Sequence, residues 1–279
     1  MRWRLYVYDS GNKKRKDTMI VPTMNDDEKA YEAFRMTNWL CQCYEKWRPD
    51  IEQRFRRGTR FPYFQRGQTV DDKGNKWIFI FYCLSKEMKK KHKYRGYAYI
   101  TYDVPPRRIK NDLNAGKGCL LIDPVAMKNR IDGKDPRGGI IIDILPHAFN
   151  RYTERYLKPL GKENLSFGQK LEDMLARWQW FDVCADLEGD KNAKKHKGDN
   201  IAPYDIIMKG GGMLRGQIIH ELLLRIHTYV SKDMMFENQL LRQEEMVSEY
   251  HRIKKGIIQA DKWQKRKSMM SKRKGDNER

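Results

Sequence analysis

His220, Glu221 and His227, in the stretch "HELLLRIH", are residues of the right types for zinc chemistry. A zinc peptidase helix needs two histidines four residues apart on one face, with the glutamate between them acting as general base. Here position 224 is Leu224, and His227 follows His220 by seven residues. On a helix the two rings would stand roughly 10 Å apart along the axis, too far to share one ion. The spacing predicts no metal site, and no other cofactor is expected. As a strand the stretch alternates. Leu222, Leu224, Ile226, Thr228 and Val230 fall on one side, and Leu223, Arg225, His227, Tyr229 and Ser231 on the other. The first side is expected to pack on helices. The second would then present Arg225, His227 and Tyr229 on an open sheet face, where they could grip phosphate and move protons. An ordinary solvated face is the alternative.

A second row stands in "PHAFNRYTERYL". Ala148, Phe149, Tyr152 and Tyr156 make an apolar stripe at helical spacing, while His147, Arg151 and Arg155 stand four apart on another. Such a row near a helix start can bind an anion. By spacing alone the favoured reading is a helix surface on which Arg151 and Arg155 pair with Glu154 or neighbouring acids.

These rows need elements to position them. "RWRLYVYD" reads as a strand. Asn25 caps a helix with an acidic first turn, carrying Tyr31, Phe34, Leu40 and Tyr44, and Pro49 is expected to interrupt it. "KWIFIFYCLS" and "YRGYAYITYDV" read as a long hairpin whose tip, "KEMKKKHK", is strongly basic. Lys89, Lys90, Lys91, Lys93 and Arg95 at that tip are candidate phosphate contacts. "GCLLID" and "GGIIIDIL" are short strands. One helix starts at Pro146 and a second is capped by Ser166. "WFDVCADLE" alternates like a strand, "GDKNAKKHKGDN" is a polar loop, and "YDIIMKGGGMLRGQII" is a hairpin turning on Gly210, Gly211 and Gly212. A long charged helix and a basic tail are expected from about Phe236.

Charge is the strongest bulk signal. The 279 residues hold 57 lysines and arginines against 37 acids, a formal charge of +20. That excess favours a polyanion, because phosphates release condensed counterions on binding. The alternative is a solubility surface. The tail from residue 251 to 279 carries eleven basic residues against three acids, a net of +8. Lys254, Lys255, Lys265, Arg266, Lys267, Lys272, Arg273 and Lys274 would grip nucleic acid from a mobile arm. An apolar fraction of 39% supports a buried core. No apolar run reaches the ~20 residues that cross a bilayer, and no membrane partner is expected. Five cysteines, an odd number without a CxxC pair, and no hydrophobic leader fit a reducing cytoplasm.

The order of these parts resembles a known superfamily. A strand leading into "HAFNRYTERYL", a second helix, and a meander containing "GGGMLRG" and "RIHTYVS" is similar to the small metal-independent ribonucleases grouped with barnase, the colicin tRNA nucleases and RelE-type toxins. The likeness covers about residues 135 to 240 and points to phage- or mobile-element-associated branches. It implies two helices packed on a four-stranded antiparallel sheet, with RNA cleaved on the opposite face. It also implies roles for His147 and Arg151 on the helix and for His227, Thr228 and Tyr229 on the last strand. His227 would carry the proton in attack by the 2′-hydroxyl, and Arg215 and Arg225 would clamp the phosphate. The chain is longer than the usual domain of that superfamily, and residues 1 to 135 lie outside the likeness.

The expectation is an α+β chain in three parts: 1–135, an aromatic-rich region with a basic hairpin; 136–240, a ribonuclease-like helix–sheet domain; and 241–279, a basic helical tail. Its partner is nucleic acid, RNA before DNA, with a protein inhibitor or a larger nucleoprotein assembly as further partners. The activity is an endoribonuclease's, or else the chain is a non-catalytic nucleic-acid-binding or nucleoprotein structural factor.

Overall fold

Asn25 sets the start of the first helix. Its side chain accepts the Glu28 N–H at 2.9 Å, and the Glu28 carboxylate accepts the Asn25 N–H at 3.0 Å, a reciprocal cap. The structure, a computed structural model, describes residues 24–58, 60–90, 94–107, 112–135, 139–178, 183–184, 202–220 and 222–235, with isolated positions as far as 252. The fold is α+β, its strand pairs antiparallel where their registers are known. The expected N-terminal strand, the polar loop at 189–200 and nearly all of the basic tail lie outside the described residues. Of "WFDVCADLE" only Val183 and Cys184 are described.

Two units divide the chain. The first takes the described residues up to Pro146 together with Ile219–Arg225; the second takes His147–Ile218 and the described residues from Ile226 onward. The division falls later than residue 135 because the strand after the glycines, Ile141–Ile144, pairs with the strand before them.

In the first unit, α1 (Asp26–Arg35) and α2 (Thr37–Arg57) precede β1 (Tyr63–Val70), β2 (Lys76–Cys83), α3 (Lys86–Lys90), β3 (Arg95–Val104), β4 (Gly116–Ile122), α4 (Pro124–Ile131) and β5 (Ile141–Ile144). The five strands neighbour one another in chain order, all antiparallel. The four-stranded sheet expected for residues 136–240 is not matched: the strands there belong to a sheet of nine among the described residues. Pro49 does not interrupt α2. Leu40, Tyr44, Ile51 and Phe55 keep one buried stripe at helical spacing across it. Packing of that stripe outweighs the one N–H that proline lacks. The stripe covers Trp77, Phe79, Phe81, Ala98 and Leu120 in one core. Burying each large ring there contributes about 2 to 3 kcal/mol. Tyr31, by contrast, stands 57% exposed.

In the second unit α5 (Pro146–Tyr152) passes into a π-helical turn at Thr153–Leu157, where the Thr153 hydroxyl donates to the Phe149 carbonyl at 2.8 Å. Ser166 caps α6 (Phe167–Arg177) with Gln169 as its reciprocal partner. β6 (Val183–Cys184), β7 (Ala202–Ile207) and β8 (Met213–His220) follow, β7 pairing antiparallel with both neighbours, and then comes β9 (Leu223–Val230); β8 from Ile219 and β9 up to Arg225 count with the first unit. His220 and His227 thus sit on different strands. Gly210, Gly211 and Gly212 all take positive φ between β7 and β8, which only glycine adopts at no steric cost. Of the expected C-terminal helix, only scattered positions such as Leu240, Glu244 and Ser248 are described, and these are helical.

Strand β9 overturns the open-face expectation. Leu224 and Ile226 on one side are buried, and so are Leu223 and Tyr229 on the other. Neither face is left open, Arg225, His227 and Thr228 being half-buried, and Tyr229 turns its ring toward α5, meeting Tyr152 edge-on at a centroid distance of 5.1 Å. Alternation alone cannot say which side stays open.

Candidate nucleic-acid interface

The cations of β9 and its surroundings are held inward. Arg225 donates through Nη2 and Nε to the Asp143 carboxylate on β5, at 3.2 and 3.3 Å. Asp143 is fully buried; it also accepts the Tyr102 hydroxyl and faces Lys29 at 3.7 Å. Burial first, and then the Asp143 charge, push the Tyr102 phenol far above its ordinary range. Arg215 pairs with Asp205 opposite it on β7, at 3.1 Å. His227 and Thr228 are half-buried. Arg215 and Arg225 are thus engaged with carboxylates, and Tyr229 lies beneath α5. They do not form the exposed clamp expected from the sequence.

The helix row behaves in part as a paired surface. Arg151 binds Glu154 at 2.7 Å, and Arg155 donates to the Tyr229 carbonyl at 2.8 Å. The Arg151 Nε is nonetheless buried without a hydrogen-bond partner among the described residues, and His147 shares that feature at its Nδ1. Burial, then the charges of Arg151 and Arg155, hold the imidazole below its usual range, with Glu154 opposing them. The ring is therefore neutral near pH 7, the form that accepts a proton.

Arg177, which the sequence did not mark, organises the second unit. It is 8% exposed, and it donates to the carbonyls of Lys209 and Gly211 at 2.9 Å each and to the Tyr152 hydroxyl at 3.2 Å. Its guanidinium lies 3.4 Å from the centre of the Tyr156 ring. These contacts satisfy a buried charge and tie α6 to the glycine turn, a structural task.

Cations that face outward gather elsewhere, at one corner of the first unit. The last turn of α2 carries Arg54, Arg56 and Arg57 with no acid among them, and Arg60 follows. Lys89 of α3 donates to the Gly58 carbonyl at 2.6 Å, which brings the β2–β3 tip against that helix end. Arg56, Arg57, Arg60, Lys86 and Lys90 are exposed. Beside them the Phe55 ring stacks on Tyr94 at 4.9 Å and meets Tyr63 edge-on at 5.3 Å. Arg95 is exposed at the start of β3. Lys89, Lys90 and Arg95 thus belong to a larger patch than the tip alone, whereas Lys91 and Lys93 lie outside the described residues, as do Lys254, Lys255, Lys265, Arg266, Lys267, Lys272, Arg273 and Lys274.

Sequence reasoning found the tip and missed the helix end. "RFRRGTR" was the available signal, but its meeting with Lys89 spans 31 residues of chain, which no local pattern reveals. Among the described residues no three His, Cys, Asp or Glu side chains gather as a metal site, and no helix is long and apolar enough to cross a membrane. Compared with protein-family models, with curated proteins and with solved structures, the chain matches none.

Proposed function

We propose that the chain is a nucleic-acid-binding protein that grips the sugar–phosphate backbone through the basic corner of its first unit, with RNA the favoured partner. The observation that carries this is the junction of α2 and α3. Exposed Arg56, Arg57 and Arg60 stand with Lys86 and Lys90 around the Lys89–Gly58 hydrogen bond, beside stacked aromatic rings. Arginine and lysine neutralise phosphates, and the half-buried Tyr63 and Tyr94, packed on the buried Phe55, offer ring surface to bases. The chain's +20 charge adds long-range attraction. Arg57→Glu combined with Lys90→Glu tests it. Affinity for single-stranded RNA should fall about tenfold or more, and the slope of log affinity against log salt should flatten by about two. Unchanged affinity and slope would reject the corner as a contact surface.

A second reading, the metal-independent endoribonuclease, keeps one observation in its favour: the half-buried, neutral His147, its Nδ1 shielded, beside Arg151 and Arg155. His147, or His227 as the sequence suggests, would take the 2′-hydroxyl proton, and Arg151 would steady the phosphorane. RNA cleavage in EDTA, ending in 2′,3′-cyclic phosphates and lost in His147→Ala, is the expected outcome. Intact RNA under excess protein rejects it.

A further inference from the structure

In the first unit the middle of α2, the start of β3 and the start of α4 enclose a cleft of about 300 Å3. Tyr94, whose ring is part of the basic corner, also lines this cleft, as does Arg95, so the two adjoin. Tyr44 supplies a second aromatic wall. It lies flat against β3 because position 96 is glycine; a Cβ there would run into the Tyr44 ring. Arg48 and Arg95 bring guanidinium groups, Asp123 and Glu52 bring carboxylates, with Glu52 held by Arg48, and Asn129 brings a carboxamide. That volume lies at the small end of ligand pockets. It admits one planar base with part of its sugar, and no duplex.

We propose that this cleft receives one unpaired guanine of a single-stranded nucleic acid whose phosphates lie along the basic corner; the inference rests on the nucleic-acid reading above. Single strands are read by splaying a base onto aromatic or guanidinium planes and bonding its edge. Guanine's N1–H and 2-amino group donate side by side, and a carboxylate accepts both. Its O6 and N7 accept, and arginine supplies the matching donors. Adenine lacks the adjacent donor pair, and the pyrimidines fill less of the space. Asp123 is held in place because its Oδ1 accepts the Ala126 N–H at 2.9 Å, capping α4. Arg48 is braced by Glu52 at 2.8 Å and by Glu45 at 3.3 Å. Burial raises the Asp123 carboxyl, with the α4 N–H groups and then the Arg95 charge working against that shift. A desolvated carboxylate of this kind gains more from a ligand's N–H donors than an exposed one does.

The test compares two fluorescein-labelled RNA probes of about twelve nucleotides, within the span one such groove covers. One is all uridine; the other carries a single central guanosine. The full chain should bind the guanosine probe about tenfold tighter, a preference within the range of one good edge contact. In Asp123→Asn the ratio of the two affinities should fall to about one, while asparagine still caps α4 and preserves the fold. Free GMP should displace the guanosine probe at concentrations where AMP does not, a readout independent of any variant. Equal affinity for both probes, weakened by Arg57→Glu with Lys90→Glu, overturns the guanine cleft and leaves the corner reading standing. Binding of neither probe overturns both. A guanine preference that persists in Asp123→Asn, or equal displacement by GMP and AMP, also overturns the cleft assignment.

Discussion

Strand β9 and the α2–α3 corner both carry closely spaced cations, and they do opposite things with them. Arg225 on β9 meets the buried Asp143, and Arg155 is tied to the strand's own backbone at Tyr229. At the corner Arg57, Arg60 and Lys90 are exposed and form no ion pair among the described residues. A charge taken out of water must find its counter-charge inside the fold, and removing that partner is expensive. A charge left in water retains its attraction for a phosphate. Burial, more than residue type, separates a cation that holds the fold from one that meets a ligand.

The largest expected effect breaks the buried half of this contrast. Asp143→Asn leaves Arg225 and Lys29 facing a neutral group in a closed site. Stability should fall by about 3 to 5 kcal/mol, read from the urea midpoint. The folded fraction should bind RNA as before. A loss under about 1 kcal/mol would mean that water reaches these cations, and β9 would then be no different from the corner.

The sequence made the elements legible more readily than their surfaces. Asn25 and Ser166 announced their helices because capping is a local bond three residues long. The hairpin of β2 and β3 and the glycine turn before Met213 were equally local. The covered face of β9 was not. Its alternation is real, but Tyr229 is buried by Tyr152 and Tyr156, more than seventy positions earlier in the chain. Arg225 meets Asp143 across 82 residues, and Arg177 meets the Gly211 carbonyl across 34. The corner arises from the same kind of long-range meeting. Pro49 misled for a related reason, because tertiary packing of Ile51 and Phe55 overrides a local helix breaker.

A smaller effect sharpens the contrast by setting the glycine turn against the exposed corner. Gly212 takes φ +81°, and a Cβ at that position would run into the Tyr229 phenol. Gly212→Ala should destabilise by about 1 to 3 kcal/mol, since left-handed strain and the displaced ring act together. Thermal unfolding checks it. Alanine at the exposed, non-glycine Arg57 should move stability by less than about 0.5 kcal/mol while weakening RNA binding. Equal effects on stability at the two sites would dissolve the distinction.

The smallest expected effect is a pH dependence at His147. Burial comes first among its causes, followed by Arg151 and Arg155, and together they place the folded imidazole below its ordinary value of 6.5. The unfolded chain therefore binds the proton more readily. Stability from this group is fully present above about pH 6.5, and it is lost as pH falls toward the lower folded value. His147→Gln removes the titration, so the wild-type chain should lose stability relative to this variant between roughly pH 7 and 5. The check is a series of urea midpoints across that window. Parallel curves would show His147 titrating as it does in the unfolded chain, which would place it with the solvated cations of the corner and remove the one observation that favours it as a base.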